Sequence, residues 1–481
     1  MSATFVEARP IDSDWIGWLR HELAPTRARN IRTAIIVAGA VLCVIISMTL
    51  QVPQLATSAY MVFFASKETK LLTKNTGLGG IIALTIGIGA TLLLYKFTYG
   101  HPELRIPGMA IALFLGMWLS RVLVMGPLGF LFGFVVAVSQ SVGEEVSSPE
   151  LLVRGLLWLW VALAYAIALT VVLNLLFLPD TPKTVARPKP KSEPDGRSLF
   201  VPDAFTNPAH VHFAFKVTFA AMFCYIVYEA IDWSGIHTAF ITCTFIALES
   251  TEATFYKGTL RIVGCVIGGT LALFTIVFLM PHMDTIASLI VVVACVAAIA
   301  GWVATGTELI SYAGLQMAFA FFYSVFQGYA PDTDLDNVRN RVVGILFGLV
   351  VTGLVFRYIW PERTIDRLRA ALRQALRQLA QLLEIPRPES SIEAAKAKAH
   401  RLIGETAKSF DQARRYVELT QFESEESSAT DQVSTSKLEN ILVRADEIFA
   451  SAKSLVLGDG RQDQTRTALL SEITAETEKL G

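Results

Sequence analysis

The chain has 481 residues, of which 53% are hydrophobic and only 17% charged, with a formal net charge of −1. That balance is too apolar for a soluble protein of this length, and the near-zero net charge says little because the charges are segregated along the chain. The five cysteines, Cys43, Cys224, Cys243, Cys265 and Cys295, are scattered through apolar runs without a CxxC pair. This speaks against a metal centre or a disulfide framework and for small core residues.

The first 32 residues carry Arg9, Arg20, Arg27, Arg29 and Arg32 around Trp15, Trp18, Leu19 and Leu23. An interfacial amphipathic helix on the cytoplasmic face is expected there. No cleavable signal is evident: the chain starts polar, and the first long apolar run has no small-residue cleavage site after it. Six apolar segments follow, at 33–50, 52–66, 77–95, 106–124, 127–143 and 153–177. The second is short for a span and contains Pro53, which predicts a tilted, broken or buried helix.

A basic, proline-rich connector comes next, holding Lys183, Arg187, Lys189 and Lys191 without an intervening acid. It reads as an extended, solvated linker. Six more apolar segments lie at 212–231, 236–248, 261–279, 285–303, 309–328 and 340–360. Within them, His237 to Leu248, a charged elbow with Glu249, Glu252, Lys257 and Arg261, and a glycine-dotted run with Gly264, Gly268 and Gly269 read as a membrane hairpin. Glycines at that spacing let a neighbouring helix approach closely. The first half repeats the design, and an offset of about 184 residues superposes Ser66 on Ser250, Glu68 on Glu252, Gly80 on Gly264 and Trp118 on Trp302. The membrane part is a tandem duplication. Six segments per half make the repeats parallel and put both ends on one side.

Beyond Arg363 the pattern changes. Ile365, Leu368, Leu372, Leu376, Leu379 and Leu383, and later Leu438, Ile441, Ala445, Ile448, Ala452 and Leu455, recur at three and four. They predict four amphipathic soluble helices in a small bundle, with Pro386 and Pro388 after the first and a polar break at 423–431. The expected fold is all-α: a polytopic membrane protein of two parallel six-helix repeats plus a cytoplasmic helical bundle. Its parts are a cytoplasmic segment 1–32, a first repeat 33–178, a linker 179–211, a second repeat 212–360 and a helical domain 361–481. Basic residues at the N-terminus, in the elbow at 67–74, in the linker and after Arg363 place both termini in the cytoplasm. Glu144, Glu145, Glu229, Asp232, Asp284, Asp332, Asp334 and Asp336 lie opposite. Arg105, Arg154, Arg339 and Arg341 run against that trend.

No catalytic signature is present: there is no Gly-rich loop ending in Gly-Lys-Ser/Thr, no nucleophile elbow and no His-Glu-x-x-His. The expectation is a non-enzyme without catalytic residues, metal or cofactor, and transport draws on a gradient or is passive.

The elbow Glu249-Ser-Thr-Glu252, the run Arg261-x-x-Gly264-x-x-x-Gly268-Gly269 and the run Asn337-Val-Arg339-Asn-Arg341-Val-Val-Gly344 carry a resemblance, together with the doubled six-segment plan. From residue 31 to about 365 the chain resembles the fusaric acid resistance and aromatic acid exporter family. Each half is also similar to the six-span unit of plant aluminium-activated malate channels. The resemblance implies an inner-membrane exporter of aromatic or other organic acids, with the halves as a pseudo-dimer and a periplasmic adaptor protein as partner. The chain departs from a symmetric pattern at Gly77, which stands where the offset places Arg261.

Candidate substrate-binding residues follow from polarity inside apolar segments. Arg261 leads, because a guanidinium offers a carboxylate a planar fork that lysine cannot mimic. Anchoring the inner end of its segment is the plain alternative. Gln140 and Gln327, each late in the fifth segment of its half, line a pore or bond between helices. His237 contacts an anion, relays a proton or is structural. Glu252, with Glu68 at the repeat offset, pairs with elbow lysines or forms a gate. Glu308 snorkels or couples protons. Arg154, Arg339 and Arg341 contact an anion on the exit side or pair with Glu150 and Asp336. Three functions compete: secondary export of an organic acid, a passive organic-anion channel, and a membrane scaffold recruiting partners through its bundle. The partners expected are the lipid bilayer and a small organic acid; nucleic acid is not among them.

Overall fold

The structure is a computed structural model that describes residues 17, 20, 22–124, 126–141, 146, 148–179, 199–201, 203–247, 251–361, 364–384, 392–420, 429–457 and 463–480. Expectations for Trp15, Trp18, Glu144, Glu145, most of the linker, Glu249, Ser250, Arg363 and the break at 423–428 lie outside those residues. So do the side chains of Glu252 and Glu308.

The fold is that of an all-α polytopic membrane protein, divided into two compact units. The first holds the apolar helices. They are α1 (Arg27–Thr49), α2 (Leu55–Ala65), α3 (Lys70–Thr98), α4 (Pro102–Val122), α5 (Gly126–Ser141) and α6 (Pro149–Phe177). A second set follows: α7 (Ala209–Ala230), α8 (Thr238–Ile246), α9 (Thr251–Phe274), α10 (Ile286–Ala304), α11 (Glu308–Val325) and α12 (Asp336–Tyr358); the start of α9, up to Tyr256, and the end of α12, from Gly353, fall in the other unit. Hydroxyl residues set several starts: Thr26, Thr69, Ser148 and Thr285 each accept a backbone N–H from the first turn of α1, α3, α6 and α10. A two-stranded antiparallel hairpin, β1 (Phe326–Gln327) with β2 (Ala330–Pro331), follows α11.

The twelve helices keep the repeat. The offset of about 184 residues carries Pro102, first residue of α4, onto Ile286, first residue of α10. Eight helices among the described residues are long and apolar enough to cross a membrane. The shorter ones are the second and fifth of each half. At 11 residues α2 is about 16 Å long, half a hydrocarbon core. Its residues Leu55, Ala59 and Val62 are fully buried, so it is a short helix enclosed by others. α8 matches it, with Ala239 and Cys243 fully buried.

One core joins the halves. Ala40, Cys43 and Val44 of α1, Leu55, Ala59 and Val62 of α2, Val293, Ala297 and Ala300 of α10, and Ala318, Phe321 and Phe322 of α11 form a single buried cluster. Small residues dominate it, which permits close helix approach. Polar links cross the same seam: Thr33 Oγ1 lies 3.1 Å from Thr305 Oγ1, and Thr57 Oγ1 2.8 Å from the Tyr323 hydroxyl. Arg29, buried, donates to the Trp302 carbonyl at the last turn of α10 through Nε at 3.0 Å and Nη2 at 2.6 Å.

The second unit contains the bundle α13 (Thr364–Leu383), α14 (Ile392–Thr420), α15 (Ala429–Leu457) and α16 (Asp463–Glu478). The predicted stripes are its interior: Leu368, Leu372, Leu376 and Leu379 pack with Leu438, Ile441, Ala445 and Ala452. The carboxylate of Glu476 is buried there and paired with Lys479 at 2.6 Å and Arg444 at 3.5 Å.

Candidate functional site

The chemistry of the first unit concentrates in a buried patch between α9 and α11. Lys257, Arg261 and Cys265 are successive i, i+4 neighbours on one face of α9. Tyr312, Gln316, Phe319 and Tyr323, spaced four, three and four, line one face of α11. Gly264 and Gly268 bring the two helices together: a Cβ at either would collide with the backbone carbonyl of Ala313 or Met317. The glycines serve a facing helix and leave no space there for a ligand.

Arg261 is 1% exposed. Its Nε donates to Thr242 Oγ1 of α8 at 3.1 Å, and Nη1 donates to Gln316 Oε1 at 2.5 Å and to the Tyr312 hydroxyl at 3.4 Å. Its guanidinium carbon lies 5.6 Å from the Phe319 ring centroid. Arg341 of α12, 8% exposed, addresses the same ring at 4.9 Å and the Tyr323 ring at 4.9 Å. Its Nη2 donates to the Tyr323 carbonyl at 3.5 Å. Tyr60 of α2 closes the aromatic wall, its ring 5.1 Å edge-on from Phe319. The Lys257 ammonium sits 4.8 Å over the Tyr312 ring.

Three nitrogens in this patch have no hydrogen-bond partner: Arg261 Nη2, Arg341 Nε and Arg341 Nη1. Among the described residues no carboxylate pairs with either arginine. Ring quadrupoles offset part of the charge, but N–H donors of a buried cation normally find acceptors. The arrangement can therefore hold an anion, with aromatic faces alongside. Its two arginines belong to the second half alone, because Gly77 and Leu157 stand where the offset places Arg261 and Arg341.

The remaining candidates are dispersed. Arg154 and Arg339 are exposed, the first paired with Glu150 at 2.9 Å and the second with Asp336 at 3.1 Å. His237 is exposed, its Nδ1 3.2 Å from the Ser234 carbonyl. Gln140 is fully buried in the first half and donates to the Thr91 carbonyl at 3.2 Å, while its Oε1 has no partner. Gln327 lies in β1, exposed, and donates to the Tyr323 carbonyl at 3.3 Å. Glu252 falls in the first turn of α9. Glu68, its partner at the offset, lies 3.6 Å from Arg32 and is exposed, so it is matched by a residue of α1. Burial lowers the pKa of the neighbouring Lys67, and Arg32 adds to the effect. Reading for single polar residues missed Tyr60, Tyr312, Gln316, Phe319 and Tyr323. Four of these repeat along α11 at helical spacing, a signal present in the sequence. Cavities of about 600 and 650 Å³ lie elsewhere, one lined by Phe114, Trp118 and Phe205, the other by Val37, Ala298 and Trp302.

Twelve apolar helices among the described residues, in two matching sets and with a buried cationic and aromatic patch, define a polytopic α-helical membrane protein. Within that class, residues 270–421 match the model of the fusaric acid resistance protein family. The match begins inside α9 and runs through α14, so it extends past residue 365 into the bundle. The chain is also 36% identical over 212 residues to the multidrug resistance protein MdtO of Shigella flexneri, covering 44% of this chain and 30% of that protein. To the MdtO of Escherichia coli O157:H7 it is 23% identical over an alignment of 516 positions, covering 78% of this chain and 76% of that protein. The chain thus spans under a third of the Shigella flexneri relative in the matched region.

Proposed function

We propose that the protein is a non-enzymatic efflux transporter of the bacterial inner membrane that exports aromatic or other organic acids. The observation that carries the reading is the pair of buried guanidinium groups, Arg261 and Arg341, flanking Phe319 with unpartnered N–H donors. A carboxylate suits the donors and an apolar ring suits Phe319, Tyr60 and Tyr323. The family domain and the multidrug resistance names of the relatives support export as the direction. Because the patch is closed, substrate enters when α9, α11 and α12 shift, as alternating access requires. In this reading 33–178 and 212–360 are the repeats, 361–481 is a cytoplasmic domain, both termini are cytoplasmic and a periplasmic adaptor completes the path.

A passive organic-anion channel is the second reading. It is favoured by one observation: among the described residues no Asp or Glu is buried in the twelve membrane helices. Energised inverted vesicles supplied with external labelled aromatic acids test both. Accumulation against the substrate's electrochemical gradient, lost on collapse of the proton gradient, supports coupled export. Flux that only follows the substrate's own gradient supports the channel. No saturable flux of any organic acid would sink both.

A further inference from the structure

The buried patch places two permanent positive charges against one aromatic ring, and their unmet donors are shared between them. Arg261 contributes Nη2, and Arg341 contributes Nε and Nη1. Each guanidinium carbon is within 5.6 Å of the Phe319 centroid, so the two cations also repel one another. The Tyr312 hydroxyl and Gln316 carbonyl are already engaged by Arg261, and Tyr323 by Thr57. None of these groups bonds Arg261 Nη2, Arg341 Nε or Arg341 Nη1. Leaving charged N–H groups unsatisfied in a low-dielectric interior is costly. The space is small: Gly264 and Gly268 hold the backbone of α9 against α11, and Gly344 and Gly348 hold α12 against α8. A ring-bearing acid does not fit there without moving helices, whereas a single-atom anion needs only a bond length on either side.

The geometry points to a halide-sized inorganic anion as the resident counter-ion of Arg261 and Arg341, which an organic carboxylate must displace. The inference rests on the same patch that the proposed function uses for substrate, but it concerns the closed protein without substrate. Its ligand is defined by charge and size: one small monovalent anion at the free donors of Arg261 and Arg341. Displacement makes chloride a competitor of the organic acid at one site. It also makes the closed state more stable in chloride, because a ligand that binds only the folded protein stabilises it by RT ln(1 + L/Kd), where L is the free ligand concentration.

The test uses the purified full chain in detergent and needs no transport. Thermal unfolding is followed in sodium chloride, sodium bromide and sodium methanesulfonate at constant ionic strength. The expected result is a Tm that keeps rising with the logarithm of chloride or bromide concentration, with a smaller rise or none in the bulkier methanesulfonate. Arg341→Gln should lose the halide response, and Arg339→Gln, an exposed neighbour, should keep it. Identical curves for the parent protein in the three salts overturn the inference, whatever the variants do. A halide response that survives in Arg341→Gln overturns the assignment to this patch. In vesicles, chloride should raise the apparent half-saturation for the organic acid without lowering the maximal rate. Saturable organic-acid flux indifferent to chloride would remove the resident anion and leave the transport reading standing. A halide-dependent Tm without any organic-acid flux would do the reverse.

Discussion

Arg261→Lys separates recognition from simple charge. The arginine divides its donors among Thr242, Gln316 and Tyr312 and keeps Nη2 free. A lysine keeps the charge, but its donors sit on one nitrogen and not on a planar fork, so they do not reach the separate positions of Thr242, Gln316 and an anion that Nε, Nη1 and Nη2 of the guanidinium address. Losing one charge-assisted hydrogen bond to a substrate carboxylate costs about 1.5–3 kcal/mol, equal to a roughly ten- to hundredfold rise in apparent half-saturation. A second effect is structural: leaving Gln316 or Thr242 unpaired in the interior costs about 1–3 kcal/mol of stability. Membrane abundance and Tm must therefore be measured beside flux. The assay is concentration-dependent uptake of a labelled aromatic acid into inverted vesicles, normalised to transporter content. The expectation is a higher half-saturation at normal abundance. A lysine variant with the parental half-saturation across the full range would falsify a substrate contact at Arg261 and return it to a role in helix anchoring.

Other substitutions test the surroundings. Gly268→Val drives a branched side chain into the Met317 carbonyl; it should lower thermal stability by about 1–3 kcal/mol or prevent assembly, read as loss of the monodisperse peak in detergent. Arg154→Gln and Arg339→Gln each break one exposed ion pair, so stability should change by less than about 1 kcal/mol and flux should be parental; a strong transport defect from either would move the substrate path to that surface. Single cysteines in a background without native cysteines report topology: an impermeant thiol reagent on intact cells should label positions Glu145 and Asp334 but not Lys189 and Ser428, and the opposite pattern would invert the orientation.

The twelve membrane helices, the repeat and the bundle stripes were legible in the sequence because hydropathy and periodicity are local properties. A run of apolar residues marks its helix to within a few residues at each end, and the short second segment with Pro53, expected to be tilted, broken or buried, is the buried helix α2. The Leu368, Leu372, Leu376 and Leu379 stripe likewise named its own buried face. The candidate site was legible only in part. Arg261 stood out as a charge in an apolar run, and its glycine neighbours pointed to a close helix, which is α11. Arg339 and Arg341 could not be told apart, since they lie two residues apart in one helix. That separation is a rotation of about 200°, which turns Arg339 to Asp336 at the surface and Arg341 to Phe319 in the interior. The repeat offset paired Arg154 with Arg339 along the chain but carried no information on which face either occupies. Tyr60 and Thr57 join the patch from more than 200 residues away, through the seam between the halves. Sequence determined which segments are apolar helices; only packing decided which sides of them meet, because azimuth and long-range contact are properties of the folded whole.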